Sequence, residues 1–102
     1  MAKEKLTKAD IIENLHEKLG TNRNDIHEII DEFFEELKYG LSENKVIELR
    51  GLGTFKVKVR KGSEKKRNPK TGEIVSVDTH GVALFHPGKE LKEQVWKITE
   101  EN

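Results

Sequence analysis

Apolar residues change their spacing near Val46, and that change divides the fold. Ile11, Ile12, Leu15 and Leu19, then Ile26, Ile29, Ile30, Phe33, Phe34, Leu37 and Leu41, recur at helical spacing. From Val46 onward the spacing drops to two, and Phe55, Val57 and Val59 alternate with Lys56, Lys58 and Arg60. The first pattern places an apolar stripe along a helix; the second places an apolar face along a strand. Helices therefore come first, an antiparallel sheet follows, and the two are segregated, which is an α+β architecture.

The punctuation agrees with this division. Thr7 is an N-cap residue, with Asp10 three positions on as an imperfect capping-box partner. Gly20 suits the position after a helix, Asn22 caps the next one, and that second helix runs to about Ser42. Together the two make an αα-hairpin. The stripe on the second helix is wider than a partner helix ending at Gly20 could cover. Val46 to Leu49 forms a short strand, and Gly51-Leu52-Gly53 permits a tight bend into an amphipathic strand from Phe55. Residues 61–72 are polar, with few groups able to form a core, and are expected to be mobile without a ligand. Ile74, Val75 and Val77 begin a return strand that Val82 to Phe85 continues, with Gly81 as a bulge or bend. A last helix spans Lys89 to about Ile98, with Trp96 beside its apolar face. The expected order is α-α-β-β-β-α in a single unit over residues 1–102.

Only 33% of the 102 residues are hydrophobic and 37% are charged, so a lone globule would have a thin core. A chain of this size buries roughly two thirds of its unfolded surface. A second subunit would help, which points to an obligate dimer. The chain has no cysteine, and so no disulfide or thiolate metal site. Its apolar runs fall short of the roughly 18 residues of a membrane span, and it opens on no signal peptide. A cytoplasmic or nucleoid location is expected, with no membrane partner, no small-molecule substrate and no cofactor.

Positive and negative charges balance, which alone argues against a polyanion partner. Their distribution reverses the argument. Residues 1–50 carry a net charge of −4 and residues 51–102 one of +4. Within 56–70, Lys56, Lys58, Arg60, Lys61, Lys65, Lys66, Arg67 and Lys70 stand against Glu64 alone, a net of +7. Such asymmetry marks a local polyanion-binding surface on an acidic body.

Pro69 lies at the tip of this basic hairpin, between Asn68 and Lys70-Thr71-Gly72. Proline lacks the N–H that a ladder needs and belongs in a turn. A rigid apolar ring held out on cationic strands also suits a wedge between stacked bases, with the surrounding lysines on phosphates. The plainer readings are a turn former and a solvated hairpin whose edge lysines block aggregation. His86-Pro87-Gly88-Lys89 precedes a helix, whose free N–H groups suit phosphate, with Lys92 one turn beyond Lys89. A plain helix start is the alternative there. The spacing from Gly81 to Gly88 and the Glu90 that follows Lys89 exclude a Walker A loop. Gly51-Leu52-Gly53-Thr54 is too short for a phosphate loop. His16, His27, His80 and His86 lack the spacing of a zinc site, so no metal is expected. The acidic residues Glu28, Asp31, Glu32, Glu35 and Glu36 read as a solvated helix face, and no catalytic constellation is present.

Five segments in order resemble the HU/integration host factor family of bacterial DNA-bending proteins. They are Leu6 to Ile12, Phe33 to Leu37, Ile47 to Phe55, Arg67 to Gly72, and Phe85 to Lys92. The likeness runs from about Leu6 to Trp96. It implies an intertwined dimer with a helical base, a β-sheet saddle and two protruding arms over about 56–78. Insertion of an apolar wedge into the minor groove is a known device of that family. The resemblance assigns the wedge to Pro69, and the groove contacts beside it to Arg67, Asn68 and Lys70. Lys56, Lys58, Arg60, Lys61, Lys65 and Lys66 would follow the phosphates. Thr7, His86, Gly88, Lys89 and Lys92 would flank them, while Phe33, Phe34, Leu52, Phe55 and Phe85 would fill the dimer core. The partners implied are double-stranded DNA and a second subunit, identical or paralogous.

This chain departs from the pattern in four places. Leu52 replaces a usual phenylalanine, and Ser76 to Gly81 is poor in cations. His86 stands where a basic residue is frequent, and a tail follows Trp96. The alternative function is a structural or protein-interaction dimer with only weak, non-bending nucleic-acid binding. A related variant binds RNA or packages virion-type DNA.

Overall fold

The computed structural model describes residues 4–101, apart from the side chains of residues 64–66 and Val75. Helix α1 (Lys8–Leu19) begins on a complete capping box. The Thr7 hydroxyl accepts the Asp10 N–H at 3.2 Å, and the Asp10 carboxylate accepts the Thr7 N–H at 3.0 Å. Aspartate therefore closes the box despite its short side chain. The helix stops at Gly20, whose φ of 73° is a left-handed conformation that costs glycine little. Helix α2 (Arg23–Ser42) starts under Asn22, whose side chain accepts the Asn24 N–H.

The two helices meet through Ile12 and Ile26, the only buried apolar side chains among the described residues. Ion pairs flank this contact. Arg23 grips Glu13 through two bonds of 2.7 Å, and Lys8 reaches Asp31 at 2.7 Å.

Strands β1 (Ile47–Leu49), β2 (Gly53–Arg60) and β5 (His80–Pro87) form an antiparallel sheet in the order β1-β2-β5. Ile47 seats this sheet on α2. Its side chain lies over Gly40, where an added Cβ would come within 3.1 Å. Gly53 turns the corner against β5, so closely that a Cβ there would fall 2.4 Å from the His86 carbonyl.

A separate two-stranded ribbon, β3 (Ser63–Arg67) with β4 (Ile74–Val77), extends the hairpin. Residues 63–67 thus form the outgoing strand of the expected hairpin. Their cross-strand neighbours Ile74 and Val77 supply the β-forming partners that their own composition lacks. The return strand is also not continuous. It breaks at Asp78-Thr79, three residues before the end of the expected bend at Gly81, which itself pairs with Val59. The cause is Gly62. It passes so close to Val77 and Thr79 that a Cβ would lie 2.2 Å from the Val77 carbonyl, and its N–H donates to the Thr79 hydroxyl. The arm expected over 56–78 accordingly divides, with 56–60 in the body sheet and the ribbon starting at Ser63. Helix α3 (Lys89–Val95) ends before Ile98, and the order is α-α-β-β-β-β-β-α.

Much apolar surface remains uncovered. Phe33, Phe34, Leu52 and Phe85 are 45%, 40%, 43% and 39% exposed. The chain's accessible surface is 9433 Å², against roughly 5,900 Å² for a compact monomer of its 11.7 kDa. Its radius of gyration is 19.1 Å, where a compact chain of this length has about 13 Å.

Candidate nucleic-acid interface

Strand register sorts the sheet into two chemically distinct faces. Residues directly opposite in an antiparallel pair share a face. Phe55 lies opposite Phe85, their ring centroids 4.7 Å apart, and Val57 lies opposite Ala83. The other face carries the pairs Thr54 and His86, Lys56 and Leu84, Lys58 and Val82, and Arg60 and His80. β2 thus supplies three fixed cations in a row at alternate positions. A shallow groove brings Lys56, Lys58, Leu84 and His86 together.

Hydrogen bonds internal to the turn hold the tip of the ribbon. Arg67 and Ile74 form the last ladder pair. The Asn68 N–H donates to the Glu73 carbonyl at 2.7 Å, and the Gly72 N–H donates to the Asn68 carbonyl at 2.7 Å. The Asn68 side-chain oxygen accepts the Lys70 N–H at 2.9 Å. Gly72 takes a φ of 75°, which explains the glycine there. Pro69 sits where no N–H is required, with its ring exposed between Arg67 and Lys70. This is a small rigid cap presenting an apolar group flanked by cations. The side chains of Lys65 and Lys66 lie outside the described ones.

Electrostatics separate this surface from the helices. Lys8, Arg23 and Lys38 each pair with a carboxylate. The Lys8 ammonium, with His27 beside it, holds the Asp31 carboxyl below its ordinary value, and Arg23 does the same for Glu13. Among the described residues, no such pair involves Lys56, Lys58, Arg60, Lys61, Arg67 or Lys70. Their charge is available to an external anion. Near the sheet corner the Gly88 N–H donates to the Leu52 carbonyl at 2.9 Å, which fixes the start of α3. Lys89 and Lys92 are exposed along α3, in a groove shared with Glu93, Trp96 and Lys97.

The sequence profile of the family described as "Bacterial DNA-binding protein" matches residues 6–96. The chain belongs to the HU/integration host factor family of bacterial DNA-binding proteins. It is 43% identical over 90 residues to the integration host factor subunit alpha of Pseudoalteromonas translucida, covering 88% of this chain and 90% of that one. It is 41% identical over 90 residues to the same subunit from Marinobacter nauticus, covering 88% and 89%. Its fold matches a chain of an Anabaena HU–DNA cocrystal structure with a TM-score of 0.81, at 25% identity and covering 89% of this chain and 98% of that one. HU from Thermotoga maritima follows with a TM-score of 0.62, at 25% identity over 87% and 97%. The HU/integration host factor fold is α+β, and the family is defined by DNA binding and not by a reaction.

Within this family frame the predicted residues fall into three groups. Lys56, Lys58, Arg60 and His86 share one sheet face. Arg67, Asn68, Pro69 and Lys70 gather at the tip. Gly88, Lys89 and Lys92 stand apart, on α3 and its start. Sequence reasoning missed His80, which lies opposite Arg60 on the cationic face. Counting alternate positions back from His86 through Leu84 and Val82 would have found it. It also missed Gly62 as the root of the arm, because the close approach there comes from residues far along the chain.

Proposed function

We propose that this chain is an architectural protein that binds duplex DNA in the minor groove as a dimer and bends it. The observation that carries this reading is Pro69, exposed on a hydrogen-bonded tip between Arg67 and Lys70 and lifted from the body on its own ribbon. Inserting the ring between base pairs costs a few kcal/mol of unstacking per step. Phosphate neutralisation by Lys56, Lys58, Arg60, Lys61, Lys65, Lys66 and the flanking Lys89 and Lys92 offsets that cost. The minor groove carries a degenerate code, so preference follows deformability more than base identity.

A second subunit, a copy of this chain or a paralogue, covers the stripe of Phe33 and Phe34 and the corner of Leu52, Phe55 and Phe85. The excess surface of the single chain supports this dimer. The two arms then place two wedges on one duplex, and the protein acts as a single unit over residues 1–102 at the bacterial nucleoid, in the cytoplasm.

The deciding experiment is a FRET measurement of bend angle with Pro69→Ala. The variant should remain dimeric and bend far less than the parent. Equal bending would refute the wedge. If about six phosphates are neutralised by part of this set, log K should fall against log[salt] with a slope near −5. A slope near zero would refute the electrostatic surface.

A further inference from the structure

We propose that His80 and His86 are proton-dependent phosphate contacts, so that DNA binding takes up protons and tightens as pH falls. The inference rests on the DNA-binding reading above and deepens it. Both imidazoles lie on the cationic face of the sheet, at the two ends of the row His80, Val82, Leu84 and His86. That row belongs to β5, whose positions on this face hold no lysine or arginine. The fixed charge comes entirely from β2.

His80 shows how the contact would switch. Its Nδ1 lies 2.7 Å from the Asp78 carbonyl oxygen. A carbonyl only accepts, so Nδ1 carries the hydrogen. Nε2 of the neutral ring is then a lone-pair acceptor, which cannot bond a phosphate oxygen. Protonation converts Nε2 into a charged donor. The same proton therefore adds both a charge and the hydrogen bond that uses it.

The surroundings set the direction of the linkage. Arg60 lies directly opposite His80, with Lys58 on the diagonal and Lys61 just beyond, while Asp78 precedes it by two residues. Thr54 lies opposite His86, with Lys56 on the diagonal and Lys58 in the same groove. Like charges directly across a ladder repel. The cations of β2 share this face with the two rings. A phosphate laid across the face neutralises those cations and attracts the imidazolium. DNA thus favours the protonated form of each histidine, and by linkage the protonated protein favours DNA. The gain is present at pH values where the bound rings hold a proton and is lost as pH rises past that point. Imidazole ordinarily titrates between pH 5 and 8, so the effect falls in a range where duplex DNA is intact.

The test is a titration of full-length protein with a nicked duplex at fixed ionic strength, at pH 8.0 and pH 5.5. One pKa unit gained on binding is a factor of ten in affinity. Affinity should therefore tighten between the two pH values by at least about tenfold, the effect of a single ring gaining one unit. The log–log salt slope should steepen by up to about 4, one increment for each of the dimer's four imidazoles that meets a phosphate. The double variant His80→Gln/His86→Gln should lose the pH dependence. His80→Arg/His86→Arg should also be flat with pH, with the steeper salt slope throughout. Circular dichroism and dimer mass at both pH values establish that each variant is folded.

A parent protein with a steep salt slope but equal affinity at both pH values overturns the histidine inference and leaves the DNA reading standing. Persistence of the full pH effect in the glutamine pair overturns it as well and moves the linkage elsewhere, to His16 or His27. A salt slope near zero at both pH values overturns the underlying DNA reading itself.

Discussion

Helices α1 and α2 pair Lys8, Arg23 and Lys38 with their own carboxylates, whereas the sheet face and the β3–β4 arm hold their cations out. Lys8 meets Asp31 and Arg23 meets Glu13, and these pairs tie α1 to α2. Lys56, Lys58, Arg60, Arg67 and Lys70 have no such partner among the described residues. Apolar surface follows the opposite rule. The body carries large apolar side chains that one chain cannot bury, and the arm exposes mainly Pro69 at its tip and Ile74 and Val77 on its ladder. The proposed dimer would cover the first region, and the proposed duplex would neutralise the second. Exposed ion pairs contribute little to stability, so the body must gain most of its stability by apolar burial. The arm can be judged only by what it does to a ligand.

Mutations should separate the two regions, most sharply in the body. Phe85→Ala should destabilise by about 3–5 kcal/mol in urea unfolding followed by circular dichroism, the cost of a fully buried aromatic. A loss under about 1 kcal/mol would mean that Phe85 stays as exposed as in the single chain, and would break the comparison. Gly53→Ala should cost about 1–3 kcal/mol by overpacking, because its Cβ would meet the Phe85 ring at 2.7 Å.

Gly62→Ala is the sharper test, because it makes an equally close clash at the root of the arm. It should leave the melting of the body within about 0.5 kcal/mol and weaken DNA bending. Cooperative loss of the body would show that arm and body fold as one unit. Pro69→Ala should change stability by less than about 0.5 kcal/mol while reducing bending.

The smallest effect concerns acid. Thr7 lowers the Asp10 carboxyl, Arg23 lowers Glu13, and Lys8 and His27 lower Asp31. A carboxyl held low in the folded state adds stability above its unfolded value, near 4, and loses it as pH falls through the lower folded value. Thermal melts should therefore be slightly less stable at pH 3 than at pH 5, and Asp31→Asn should reduce that difference. An unchanged difference would show that these pairs contribute nothing to the base.

Local chemistry was legible wherever neighbours in sequence are neighbours in space. Thr7 and Asp10, Gly20, Asn22 and the alternation from Phe55 to Arg60 all read directly, because caps, helix ends and strand faces depend on contacts within a few residues. The arm was less legible. The hairpin was read from Pro69 and its neighbours, but the register of Ser63 to Arg67 on Ile74 to Val77 and the break after Val77 were not. The last helix stops three residues before Ile98, where the Trp96 N–H bonds the Glu93 carbonyl and the Ile98 N–H the Val95 carbonyl in tighter three-residue turns.

Sequence alone therefore determined the two opening helices, the sheet that follows and the closing helix, the caps of the first two helices and the concentration of positive charge in 56–70, but not the number of strands. Each follows from periodicity or from the intrinsic preference of single residues. Tertiary structure decided which residues share a face. Register set His80 against Arg60 and Leu84 against Lys56, Gly62 separated the ribbon from the sheet, and the fold left Phe33, Phe34 and Phe85 without cover. Those outcomes depend on contacts between residues far apart in the chain, and pairing at that distance is a property of the folded backbone, which no local pattern encodes.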